Sequence, residues 1–157
     1  MKIINRIFMM FGIVFVGYIA AAIYLDSVSS RFQKDNLKFV VNFMHEFSAD
    51  WSIENVESKI GVQLIKKADT ESGRVTLRNF RSLGGLKSIS KIELIDHVYF
   101  LNDQPNVGVF ALDAVFEHGR ALVKLVIEDT NKGIKVKDIN MIPVYVETNT
   151  EVQPSSA

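Results

Sequence analysis

The chain has 157 residues, 18 basic against 18 acidic side chains, no cysteine, 48% hydrophobic residues and 3 prolines, which fits one ordinary domain with an appendage rather than a disordered polymer or a multidomain enzyme. Balanced charge lacks the basic excess with which a duplex-binding domain displaces counterions, so no nucleic-acid partner is expected. Absence of cysteine excludes a disulfide framework, thiolate catalysis, Cys-ligated zinc or iron and a bacterial lipoprotein anchor.

After Lys2 and Arg6 comes the uncharged run IFMMFGIVFVGYIAAAIYL, 19 residues over 7–25 closed by Asp26, ten of them Ile, Leu, Val or Phe. As an α-helix the run measures about 28 Å against a bilayer core of roughly 30 Å. Residues 1–25 are therefore expected to form a transmembrane signal anchor, with the lipid bilayer as a first partner. The tripeptide Ala20-Ala21-Ala22 also reads as a small-residue cleavage site, which leaves open a cleaved, secreted periplasmic form; the uninterrupted length favours retention. The basic residues nearest the run precede it, favouring a single-pass protein of the cell inner membrane whose C-terminal domain is extracytoplasmic, in the periplasm.

Residues beyond the run hold the other 16 basic and all 18 acidic side chains, a near-neutral remainder large enough to bury about two-thirds of its unfolded surface without staples. Leu37, Val40, Val41, Met44, Phe47 and Trp51 recur at helical spacing and predict an amphipathic helix over 29–48, separated from the membrane helix by a short joint at 26–30. Asp50 or Ser52 is placed to cap a short second helix with Ile53, Val56 and Ile60 on one face, and Gly61 to end it. Val75, Phe80 and Leu83 predict a third helix running to Gly84-Gly85, with Ser72-Gly73 interrupting the pattern.

Beyond Gly85 four β-rich runs follow, over 86–101, 107–116, 121–127 and 134–146, joined by DQPN, EHGR and DTNKG, all turn compositions. Short connections imply an antiparallel meander. Pro143 lacks an amide donor, so the last strand should lie at an edge or carry a bulge. Phe110, Leu112 and Phe116 are expected to face the core, with Val109, Ala111, Asp113 and Val115 on a half-polar outer face that leaves room for a dimer contact or partner. The predicted class is α+β: an N-terminal transmembrane helix, then two to three helices packed on a curved four-stranded antiparallel sheet over 26–146, and a polar tail at 147–157 expected to be disordered.

The long helix ending HEFSADW, the short one ending SKIG, the RSLGGLKSI passage into the sheet and the paired strands VGVFALDAVFEHGRALVKLVIEDTNKGIKVKDINMI together resemble the nuclear transport factor 2-like superfamily, the cystatin-like cone, over residues 31–146. The resemblance implies a range of roles: isomerases, dehydratases, cargo carriers, immunity proteins and membrane-anchored assembly subunits. A single span ahead of a cone domain looks most like the small, membrane-anchored bacterial members.

No nucleophile elbow, HExxH or phosphate loop occurs, no cofactor is implied, and Gly84-Gly85 reads as a helix stop. His45, His97 and His118 each adjoin an acid, but no pair has ligand spacing, so the reading is solvated or locally bonded histidine rather than metal. For an isomerase-like or hydratase-like enzyme, the resemblance implies a carboxylate in the cone, for which Asp113 is the candidate, with Tyr99 or Tyr145 supplying a hydroxyl; strand alternation puts Asp113 toward solvent instead. Lys66, Lys67, Arg74, Arg78 and Arg81, followed by Lys87 and Lys91, face only Asp69 and Glu71 over 64–92, an excess suited to anionic headgroups or an acidic partner if it is more than a solvated surface. The leading expectation is a non-catalytic module that binds a protein, a second copy of itself or a small apolar ligand.

Overall fold

The computed structural model describes the backbone of residues 2–100 and 104–144 and the side chains of 18–100 and 104–144; Tyr145 and the 147–157 tail lie outside the described residues. One helix, α1, runs Lys2–Asp50 without a break. The joint predicted at 26–30 is absent because DSVSSR contains neither proline nor glycine to stop a helix. Its core-facing stripe is Phe32, Asn36, Val40, Phe43, Met44 and Phe47, while Leu37, expected inside, is exposed. Toward the N-terminus, Tyr18, Ile23, Tyr24 and Leu25 are all more than half exposed. Among the described residues no helix is long and apolar enough to cross a membrane, and most of the 7–25 run lies outside those whose side chains are described.

Trp51 ends α1 with a φ of 55°, a left-handed conformation that normally selects glycine. Burial compensates: the indole is 2% exposed, packs on Phe47, Phe80 and Phe116, and donates Nε1–H to the Gly84 carbonyl at 3.0 Å. The second helix is a single 3₁₀ segment, Glu54–Lys59. Gly61 does not terminate it in a left-handed cap but sits as N-cap of a further helix, α2, Val62–Ala68. Helix α3 spans Glu71–Arg81, capped by Thr70 Oγ1, which accepts from the Gly73 amide. Ser72-Gly73 therefore lies inside the first turn of α3 rather than interrupting it.

Strands β1 (Leu86–Val98), β2 (Asn106–Phe116), β3 (Gly119–Thr130) and β4 (Gly133–Val144) form an antiparallel meander in the order β1-β2-β3-β4. Two-residue turns join β2 to β3 and β3 to β4, the second followed by Gly133, the first residue of β4, at a φ of 113°. Pro143 lies on β4, an edge strand, as its missing donor requires. The helices cover one face, where Phe110, Leu112, Phe116, Val123, Leu125 and Val136 are buried against Phe43, Phe47 and Val56.

Strand β1 departs from period two. Its register against β2 slips between Leu86 and Ser88, between Ile89 and Lys91, and between Leu94 and Asp96, so the residues facing the core are Leu86, Ile89, Ile92, Leu94 and His97. Each bulge adds one unpaired residue, bends the strand and reverses the side-chain parity beyond it.

Candidate functional site

The helices do not close completely over the sheet. An apolar cavity of about 210 Å³ lies between α1 (Phe43, Phe47), the 3₁₀ segment with its flanks (Ile53, Ile60), α2, α3 and Ile139 of β4. Leu64, Ala68, Leu77 and Phe80 complete its greasy wall, and Lys67, Thr70, Ser72 and Thr76 supply its polar rim. The Lys67 ammonium is held at 2.7 Å by Asp138 on β4, across the rim. Gly73 makes the arrangement possible: a Cβ there would overlap the Lys67 carbonyl and Ala68 backbone, so only glycine lets α3 lie so close on α2.

No family model, curated protein or solved structure matches this chain. What the cavity can do is read from its walls. A concave, largely apolar space with a few polar groups at one side is suited to an apolar molecule with a polar end. It offers no carboxylate or histidine for proton transfer, since Lys67 is its one ionisable wall residue and is paired.

Asp113, the candidate carboxylate, does not enter the cavity. It faces away from the core on β2 and accepts two bonds from Arg120 Nη2, at 3.1 and 2.8 Å. Tyr99 lies past the far end of β1, beyond the Val98–Val107 pair, six residues along β2 from Asp113 and so about 20 Å away. Tyr145 lies outside the described residues. The geometry thus brings Asp113 and Tyr99 to different places and gives them no shared substrate position.

The basic residues lie on two neighbouring helices. Lys66 and Lys67 sit on α2, and Arg74, Arg78 and Arg81 on α3. Arg74 donates Nε and Nη2 to the Asp69 carbonyl at 3.2 and 2.9 Å. Arg81 shares a groove with Glu54 and Glu57, and the Glu54 carboxyl is held below its usual range mainly by the Ser52 hydroxyl, with a smaller contribution from Arg81. Counting charges over 64–92 alone omits these acids and Asp138, which come from other segments.

His45 and His118 are exposed, and His97, within the solvated or locally bonded reading, is the locally bonded one. The bulge at Ile95 turns it inward, where it stacks on Phe32 with centroids 4.3 Å apart and places Nδ1 3.2 Å from Ser29 Oγ. Burial lowers its pKa, opposed in part by Asp96. Among the described residues, no three acidic or histidine side chains converge as a metal centre.

Proposed function

We propose that this chain is a single-pass envelope protein whose extracytoplasmic domain, built as a cone of the nuclear transport factor 2-like kind, is a non-catalytic binding module. The observation that carries the binding role is the apolar cavity under α1, with its polar rim on one side. The anchor is supported by apolar residues 18–25 of α1 standing clear of the domain, since a helix apolar all round is normally covered by protein or lipid. Helices followed by a four-stranded antiparallel meander support the cone.

An apolar cavity of about 150 Å³ suffices for benzene, so naphthalene is a fitting probe. Calorimetric titration of the full chain in detergent micelles should give saturable binding. Leu77→Phe, which fills the cavity from α3, should weaken it about tenfold or more while leaving the circular dichroism unchanged. Binding no different from that of empty micelles, or indifferent to Leu77→Phe, removes the cavity as the site.

A second reading, a protein partner or a second copy on the outer sheet face, is favoured by one specific feature. Leu122 and Ile142 are directly paired across β3 and β4 and are 51% and 62% exposed, with Val144 beside them. Failure of the naphthalene titration together with self-association lost in Leu122→Lys would select it.

A further inference from the structure

A smaller cleft, of about 140 Å³, opens between α1 and the end of the sheet near the β1–β2 connection. It is separate from the apolar cavity and different in kind. Two buried side-chain polar atoms have no partner among the described residues, Asn36 Oδ1 and His97 Nε2, and both residues line this cleft. Asn36 is 1% exposed. Its Nδ2 donates to the Phe32 carbonyl at 2.9 Å, which fixes the amide and leaves Oδ1 as an unpaired acceptor. A buried acceptor with nothing donating to it is costly, so its retention calls for a ligand or a structural reason.

His97 is held as firmly. Phe32 stacks on the imidazole, and Phe32 in turn fits only because residue 108 is glycine, where a Cβ would overlap its ring. In the tautomer whose Nδ1–H donates to Ser29 Oγ, the buried Nε2 presents a lone pair. Burial lowers the imidazole pKa, opposed in part by Asp96, and so favours the neutral ring that can accept. Two carboxylates, Asp35 and Asp129, border the cleft against one guanidinium, Arg31, leaving a net negative rim.

We propose that this cleft binds a primary ammonium group, which donates one N–H to Asn36 Oδ1 and one to His97 Nε2 while its charge is met by Asp35 and Asp129. Two unpartnered acceptors on residues lining one cleft, with a net negative rim, match a compact cation that carries several donors. They do not match an anion, which brings no donor, or a quaternary ammonium, which brings charge without N–H. The same chemistry comes from a free amine or from an ethanolamine lipid headgroup. Asn36 lies 11 residues beyond Leu25 on one helix, about 16 Å along its axis, whereas the headgroup layer adds only about 5–8 Å beyond the hydrocarbon core, so a headgroup reaches the cleft only if the span is embedded as proposed above and α1 tilts strongly toward the bilayer. The free-amine source does not need that placement.

The test uses the full chain in detergent micelles, titrated with ethanolamine and, as a control, with choline, which has the same charge and no N–H. Ethanolamine should bind saturably by calorimetry and shift the ¹⁵N resonance of His97 Nε2; choline should do neither. His97→Phe and Asn36→Leu should each weaken ethanolamine binding about tenfold or more. Asp35→Asn, at an exposed rim position that leaves the core untouched, should weaken it severalfold and keeps the test intact if either core variant fails to fold. Equal responses to ethanolamine and choline, or no response to either, overturn the proposal and leave an ordered water as the occupant. Nanodiscs of phosphatidylethanolamine and phosphatidylcholine separate the sources: a shifted His97 signal in the former alone assigns the headgroup, and a shift only on adding free ethanolamine assigns the soluble amine.

Discussion

His97 shows how one residue's ionisation becomes a property of the fold. Folding half-buries the imidazole and lowers its pKa, with Asp96 opposing from its own strand. The other charged groups at the cleft are Arg31 and Asp35 from α1 and Asp129 from β3, and the Tyr99 ring lies beside His97. An unfolded histidine takes up its proton near pH 6.5, whereas the folded one resists until lower pH. The unfolded chain therefore binds more protons over that interval, and stability present in full above about pH 6.5 is lost as pH falls toward the folded value. His97→Phe, which keeps an aromatic ring against Phe32, should flatten the fall of the thermal midpoint between pH 7 and pH 5. A slope identical to that of the parent would assign the acid sensitivity to other groups. Trp51 is a second residue whose environment outweighs its local preference. A left-handed tryptophan costs about 1–2 kcal/mol of backbone energy, and packing on three aromatic rings plus the bond to Gly84 offsets it.

Among the elements, the sequence predicts well where a pattern is local and poorly where a neighbour sets it. The alternation of β2 is legible because both faces run unbroken from Asn106 to Phe116, and the two hairpin turns carry their own glycines. Strand β1 is legible as a strand but not by face. Its three bulges are set by pairing with β2, and nothing in LKSISKIELIDHV marks where the extra residue falls. The inward turn of His97, and with it the polar cleft, is hidden for that reason. Helix α2 is not legible either, since a seven-residue helix offers too few turns for a periodicity. The cavity needs α2 and α3 together, so its rim could not be assembled from spacing alone. Gly73 is the residue that couples the two. In isolation it weakens a helix, and in place it is the only side chain that leaves room for the Lys67 carbonyl and Ala68. Gly73→Ala should therefore destabilise the domain by about 1–3 kcal/mol through displacement of α3, although helix propensity alone predicts a gain. Urea unfolding decides the sign, and a raised midpoint would show that α3 moves off α2 without strain.

At the scale of the whole molecule, the continuity of α1 is the feature with the widest consequence. One helix of 49 residues carries both the apolar N-terminal run and the stripe that covers the sheet. At about 1.5 Å per residue it is roughly 74 Å long, and among its described side chains the first to be buried is Phe32. With no glycine or proline at residues 26–30 to act as a hinge, the domain's orientation relative to the apolar run is set by helix geometry. If residues 7–25 are embedded in lipid, the domain must stand at a defined height and rotation above the bilayer, with the His97 cleft nearer the membrane than the apolar cavity. Three measurements follow from this. The full chain should remain in the membrane pellet after alkaline carbonate extraction, with an intact N-terminus by mass spectrometry. Paired spin labels at exposed positions Asp26 and Lys38 should give one narrow distance distribution centred near 18 Å, the length of a 12-residue helical separation. Inserting Gly-Gly after Ser27 should broaden that distribution while leaving the thermal midpoint of the domain nearly unchanged, because the break precedes the first buried residue. A broad distribution in the parent chain would mean that α1 bends at 26–30 in lipid, and release by carbonate or a mature N-terminus at Ile23 would mean that the run addresses the protein without anchoring it.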